Sequence, residues 1–314
     1  MKLCDERFDK NKKYPKPFLK WAGGKTQLLN VIENHLPKDI KECGVINKYF
    51  EPFVGGGAVF FHLYKNYEIK EAYLGDINDN LILTYNVIKN EPYKLINKLN
   101  KLNDEYLSKD CEEQKVFYYS IRSTFNNFLK NKLNVEKSFK PQIELASLFI
   151  FLNKTCFNGL YRVNKDGEFN VPFAHPKHPL ICDKTNILSV SNALTNVKIL
   201  NRDYSYFESL ITEKSFVYLD PPYRPLNDKS FNNYSNAVFD DDEQIKLCDF
   251  FHRNCSKGAN LLLSNSDPKN VDENDKFFDD LYSEYDIFRV DARRHINSKG
   301  NKRGCIKEIL VSSF

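Results

Sequence analysis

The sequence has no C-x-x-C pair: its eight cysteines, at 4, 43, 111, 156, 182, 248, 255 and 305, stand apart, with none of the spacings that bind zinc. They read as free or buried thiols, which suits a reducing cytoplasm. A long hydrophobic run is also missing. The longest, Leu145 to Leu152, falls far short of the ~20 residues that a membrane-crossing helix needs. The N-terminus is charged rather than basic and then apolar, so no signal peptide is read and a soluble, cytoplasmic chain is expected, with no membrane partner and no metal. Nor is there a large excess of one charge: 46 basic and 42 acidic residues leave a net +4. That excludes a polycation, so any contact with nucleic acid must come from local patches. The candidates are Lys10 to Lys13, the stretch His175-Pro176-Lys177-His178, and Arg293-Arg294 with Lys299, Lys302 and Arg303. Internal repeats, low-complexity tracts and long linkers are absent from the sequence as well.

What is present is apolar and aromatic. Of 314 residues 41% are hydrophobic, with 25 Phe and 18 Tyr, enough to exclude wholesale disorder and to leave rings for stacking as well as packing. The length favours two domains, or one carrying a large insertion. Short apolar runs predict seven strands: 49–53, 72–76, 197–200, 216–220, 259–264, 285–290 and 308–312. Helical patterns fall between most of them, at 58–64, 78–88, 243–251 and 275–282. This alternation predicts an α/β fold with a doubly wound, mostly parallel seven-stranded sheet of the Rossmann-like kind. From Pro92 to Asp183 the alternation stops. Helical segments at 93–107, 111–129 and 143–153 lead into a hairpin-like stretch, 162–171, whose Asp166-Gly167 suits a tight turn. The expected division is therefore a discontinuous domain of residues 1–91 and 184–314, with 92–183 inserted as a mainly helical domain containing a β-hairpin.

The sharpest motif is Asp220-Pro221-Pro222-Tyr223, directly after an apolar strand. An exocyclic amino group is a poor nucleophile because its lone pair is delocalised into the ring. The Asp220 carboxylate and the Pro221 carbonyl would accept its two N–H bonds while Tyr223 stacks on the base. Two prolines fix φ and hold those acceptors rigid, as orientational and electrostatic catalysis require.

A second motif, Glu51-Pro52-Phe53-Val54-Gly55-Gly56-Gly57-Ala58, reads as strand, glycine turn and helix, a place where a nucleotide-like ligand approaches the backbone closely. It is not the dinucleotide fingerprint, because Phe60 stands where the third glycine belongs, and a nicotinamide dehydrogenase is disfavoured. The next strand ends at Asp76, placed to accept from a ribose diol. Asp203, after the following strand, suits an amino group or an ordinary turn. Near the N-terminus, Trp21-Ala22-Gly23-Gly24-Lys25-Thr26 lacks the first Walker glycine, with Leu19 in its place, so an ATPase is rejected. Trp21 could instead wall a sulfonium and Lys25 meet a carboxylate.

In this order the blocks resemble the Dam-type DNA adenine methyltransferases of the adenine-specific D12 class. The resemblance runs from Pro17 to about Val311 and takes in Phe157-Asn158-Gly159-Leu160-Tyr161-Arg162-Val163-Asn164 and 167–173. The family has Gly-Arg-Tyr where this chain has Ala174-His175-Pro176, and Thr is frequent where Asn stands in Phe231-Asn232-Asn233-Tyr234. The resemblance implies transfer of a methyl group from S-adenosylmethionine to N6 of adenine in double-stranded DNA, within GATC, after the base is flipped out. It puts Trp21, Lys25, Asp76, Asp203 and Asp220 on cofactor-contact positions, with Ala22, Gly23, Phe53, Gly55, Gly57, Ile77 and Tyr204 around them. Lys20, Asn158, Leu160 and Arg162 fall on positions that read or clamp bases, and Phe157 near an intercalating aromatic; Arg162 suits guanine O6 and N7. Arg293 and Arg294 are expected on phosphates. If the chain is the modification half of a restriction system, a restriction endonuclease encoded nearby is its functional partner. Two rivals stay open at this point: methylation of another amino group, such as that of cytosine or an RNA base, and a DNA-binding module without catalysis.

Overall fold

The computed structural model of the chain describes residues 13–130, 139–224, 239–293 and 305–314. Arg294, the basic residues at 10–12 and 299–303, and the segment 231–234 lie outside the described residues.

Strands β1 (Val45–Glu51), β2 (Glu68–Gly75), β3 (Val197–Leu200), β4 (Ser215–Leu219), β5 (Asn260–Ser266), β6 (Asp286–Arg293) and β7 (Cys305–Ser312) form one sheet in the order β3-β2-β1-β4-β5-β7-β6. The first five pair in parallel, and β7 runs antiparallel between β5 and β6. All seven expected strands are present. At the centre of the sheet β4, Ser215-Phe216-Val217-Tyr218-Leu219, is apolar after its first residue and buried at every position. Such continuous runs are what a parallel sheet covered on both faces demands.

One face packs under α3 (Ala58–Asn66), α4 (Asp79–Asn90) and α8 (Lys184–Ala193), with the short helices α1 (Leu29–Asn34) and α2 (Lys38–Cys43) beside them. The other face carries α9 (Asp241–Ser256) and α10 (Phe277–Leu281). Helices α1, α2 and α8 were not anticipated: the first two are six residues long and carry no side-chain cap. By contrast α4 and α9 begin at caps that their sequences supply, Asn78 accepting from Leu81 N at 3.0 Å and Asp240 from Glu243 N at 3.1 Å.

The segment after α4 forms α5 (Pro92–Leu107), α6 (Cys111–Lys130) and α7 (Phe139–Thr155). Their apolar faces join the same buried cluster as α3, α4 and α8, without a break. The expected hairpin is reduced. Gly167 does turn with φ of 76°, yet only the isolated antiparallel bridges Val163 to Phe169 and Cys156 to Phe173 form. Its own cross-strand bonds are few, Asn164 N to Glu168 O at 2.8 Å and Asn170 N to Arg162 O at 3.1 Å, and side chains of α6 take the outward-facing backbone groups. Asn126 bonds both Phe169 N (2.9 Å) and Phe169 O (3.1 Å), and Tyr118 donates to Val171 O (2.7 Å).

Candidate active site

The chain reverses its order of strand addition between β1 and β4, so the crevice beyond their carboxyl ends is where a ligand is expected on an open sheet of this kind. Four segments meet there: the loop 20–25, the glycine turn after β1, the residue after β2, and Asp220 to Tyr223 after β4.

Asp220 sits one residue beyond β4. Lys25, itself buried, donates from Nζ to Asp220 Oδ1 at 2.6 Å, and Ser264 on β5 reaches the same oxygen at 3.2 Å. Ser264 is held in turn by the Tyr218 hydroxyl at 2.9 Å. Both bonds to the carboxylate end on Oδ1, and among the described residues no donor reaches Oδ2. Burial raises the Asp220 carboxyl above its ordinary pKa, and the Lys25 ammonium opposes that rise.

The Pro221-Pro222 pair fixes the chain that follows. Pro222 O accepts from Gln244 Nε2 at 3.2 Å, and Asn265 Nδ2 braces the Gln244 amide oxygen at 3.3 Å. Tyr223 is pinned by its hydroxyl, which donates to Glu308 Oε2 on β7 at 2.7 Å and accepts from Lys25 Nζ at 2.7 Å. Lys25 Nζ also lies 4.6 Å from the centre of the Tyr223 ring and 3.8 Å from Glu308 Oε2. One ammonium therefore faces two carboxylates and a phenol. Such a group compensates the cost of burying its charge only because it is so fully bonded.

Beside this corner the glycine turn follows β1. Gly57, at φ 72°, caps α3, and a Cβ there would stand 2.5 Å from the Tyr85 hydroxyl. Gly55, at φ 47°, lies against Trp21, whose Cδ1 would be 2.7 Å from an added Cβ. A side chain is excluded at both. Tyr85 donates to Gly55 O at 3.1 Å and Gly55 N to Asp76 Oδ2 at 3.1 Å, while Asn78 N bonds Asp76 Oδ1 at 2.9 Å. Both Asp76 oxygens thus hold backbone donors, with the Ile77 N–H beside them. Burial pushes this carboxyl up to about 6.

Ile77, next along, is 52% exposed although apolar. Across from it Phe53 meets the Tyr204 ring at 5.5 Å. Asp203 is exposed, its carboxylate accepting from Ser205 N at 3.0 Å as the cap of the 204–209 turn. Trp21 stacks on Tyr161 with centroids 5.9 Å apart and planes 18° off parallel, which ties the loop 20–25 to the 157–173 segment. Ala22 and Gly23 are exposed in that loop, and Gly23 O accepts from Lys25 Nζ at 3.2 Å.

Among the residues expected to meet DNA, Phe157 is 52% exposed, Asn158 holds φ 58°, Leu160 is half-buried, and Arg162 is exposed with Nε on Asn170 Oδ1 at 2.7 Å. Lys20 is exposed on the facing loop. Arg293 ends β6. Its strand lies at the sheet edge, three places beyond β4 in the strand order.

Sequence reasoning missed Ser264, Glu308, Gln244 and Glu51. Glu51 is buried at the end of β1, accepts from the Tyr49 hydroxyl at 2.8 Å, and is pushed up to about 8 by burial, opposed by that bond and aided by the nearby Asp220 charge. A carboxylate inside a buried strand run is the one signal that could have marked Glu51 and Glu308.

Comparison with known proteins agrees with this geometry. A family model described as D12 class N6 adenine-specific DNA methyltransferase matches residues 21–296. The chain is 50% identical over 301 residues to "Type II methyltransferase M.MjaIII" of Methanocaldococcus jannaschii, covering 95% of this chain and 99% of that protein. It is 35% identical over 308 residues to "Type II methyltransferase M1.LlaDCHI" of Lactococcus lactis subsp. cremoris (97% and 98%). Over 295 residues it is 33% identical to "DNA adenine methylase" of Escherichia coli strain K12 (94% and 94%). The chain belongs to the D12 class of N6 adenine-specific DNA methyltransferases. Membership sets aside the cytosine and RNA alternatives.

Proposed function

We propose that this member of the D12 class transfers a methyl group from S-adenosylmethionine to N6 of an adenine that has been rotated out of double-stranded DNA, within the sequence GATC. The observation that carries the reading is Asp220: Lys25 and Ser264 hold one carboxylate oxygen, and the other is left for the amino group of a base.

The residues fit such a donor. Asp76 offers its carboxylate to a ribose diol, Phe53, Ile77 and Tyr204 line the space beside it, and Asp203 stands at its rim. Gly55 and Gly57 allow close approach of the backbone, and Trp21, Ala22, Gly23 and Lys25 provide a wall and a cation for its amino-acid end. When bound, the donor supplies an electrophilic methyl carbon on a positively charged sulfur.

The chain does the rest. A stacked adenine cannot present N6 to a pocket in the protein, so the base must leave the duplex. Asp220 Oδ2 and the Pro221 carbonyl accept the two N–H bonds, which draws the lone pair out of the ring and onto nitrogen. Tyr223, pinned by Glu308 and Lys25, stacks on the base, and the braced Pro222 keeps these groups from yielding. Asp220, raised by burial, is suited to take the proton that the alkylated nitrogen releases.

Lys20, Asn158, Leu160 and Arg162 read the flanking bases, Phe157 fills the place of the departed adenine, and Arg293 and Arg294 contact phosphate. We place the protein in the cytoplasm with DNA. The Type II names of two relatives support a role as the modification half of a restriction system, with an endonuclease encoded nearby. Sequencing of DNA from expressing cells by a method sensitive to methyladenine tests the assignment. Modification at GATC, with protection from a nuclease that such methylation blocks, is the expected result; modification in another sequence context overturns the roles given to Lys20, Asn158, Leu160 and Arg162.

A further inference from the structure

The loop 20–25 carries Lys20, proposed to read bases, immediately before Trp21 and Lys25, proposed to hold the donor. What fixes this loop is a residue that the mechanism does not use. Asn153, near the carboxyl end of α7, is 3% exposed. Its amide oxygen accepts from Lys20 N at 2.9 Å, its amide nitrogen donates to Lys20 O at 2.9 Å, and that nitrogen also donates to Gly159 O at 2.9 Å. One side chain therefore grips both backbone groups of Lys20 and the backbone of the 157–160 turn. The amide donates twice and accepts once, and the three bonds use both of its N–H groups.

A second contact closes the same joint. Gly159 has φ 64°, and a Cβ there would stand 2.6 Å from both Cβ and Cδ of Lys20. The Lys20 side chain thus lies directly on the turn that carries Phe157, Asn158 and Leu160. Next to it, Trp21 stacks on Tyr161.

We propose that Asn153 is a positioning residue that couples donor binding to base reading, by making the donor loop and the recognition turn move as one body. The inference rests on the function proposed above. A ligand that orders one side of a rigid joint prepares the other side, and the two affinities then rise by the same factor. Without the joint each ligand still meets its own contacts, but neither helps the other.

The test measures binding of a labelled GATC duplex by fluorescence anisotropy, with and without saturating S-adenosylhomocysteine, a donor product that cannot react. For the wild type the account expects duplex affinity to rise about tenfold when the nucleoside is present. For Asn153→Ala the rise shrinks to less than about twofold, and preference for GATC over a duplex with one flanking base changed falls about tenfold. A structural defect alone would lower the melting temperature and leave both ratios intact. Gly159→Ala, which displaces the Lys20 side chain while the Asn153 side chain itself is kept, is expected to lose the same coupling and keeps the idea testable if Asn153→Ala does not fold. Wild-type protein whose two affinities are independent, or an Asn153→Ala protein with undiminished coupling and preference, overturns the inference alone. Wild-type protein that binds neither ligand overturns the proposed function and this inference with it.

Discussion

The corner around Asp220 and the turn around Asn158 are both tied to the loop 20–25 and are built on opposite terms. At Asp220 nearly every polar atom is occupied: Lys25 reaches Asp220, Tyr223 and Gly23, while Ser264, Glu308 and Gln244 hold the remaining groups. At the turn the side chains reach into solvent. Phe157 is half-exposed, Lys20 and Arg162 are exposed, and the side-chain bond of Arg162 to Asn170 is on the surface. Chemistry that must be the same at every turnover gains from groups that do not reorganise, whereas side chains that insert into a duplex find their partners only when it arrives.

Setting aside Asp220 itself, the largest expected effect lies on the rigid side. Lys25→Ala is expected to lower the single-turnover rate at saturating donor by about 10²-fold. It also removes the main opposition to the burial of Asp220, leaving only the Ser264 bond. That carboxyl then rises further, more of it is protonated at a given pH, and the acid limb of the rate profile moves to higher pH. A limb that stays put or moves down would break the account of Lys25.

On the adaptable side the expected loss is in discrimination. Arg162→Ala is expected to cost about 1–3 kcal/mol of preference at one base pair, read as the ratio of kcat/KM on two duplexes. Chemistry on the preferred duplex should fall much less. An equal loss on both duplexes would mean that Arg162 only clamps phosphate.

The smallest effect is one of stability. The Glu51 carboxyl is raised from an ordinary 4.5 to about 8 by burial, so the folded state keeps a proton that the unfolded chain gives up. The stability this supplies is fully present below pH ~4.5, is lost as pH rises towards 8, and does not fall further above it. Glu51→Gln removes the titration. Its melting temperature should therefore gain on wild type by ~5 °C between pH 5 and pH 8 and then hold level. A gap that does not change with pH would show that Glu51 is ionised throughout.

The fold was legible because the carboxyl-terminal half of a parallel strand such as β2 or β4 writes itself as a short apolar run and ends at a marked turn, as at Asp76 and at Asp220-Pro221. Short helices such as α1 carry no such pattern. The hairpin illustrates a different limit: its Asp-Gly turn forms as the local sequence dictates, but its outer edge is tied to Asn126 and Tyr118, about 40 to 50 residues earlier, a partner the local sequence does not show. The supporting groups of the site were hidden for the same reason. Glu308 meets Tyr223 across 85 residues of sequence, and Asn153 meets Lys20 across 133, contacts that only the completed sheet and helices create.

The central claim is that a fixed carboxylate draws electron density onto the adenine nitrogen, and Asp220→Asn tests it most directly, since the amide keeps the shape and removes the charge. The account predicts that the variant still binds a GATC duplex and S-adenosylhomocysteine, while its single-turnover methyl transfer falls by about 10³-fold or more. Transfer at the wild-type rate by that variant, with both ligands bound as before, would contradict it.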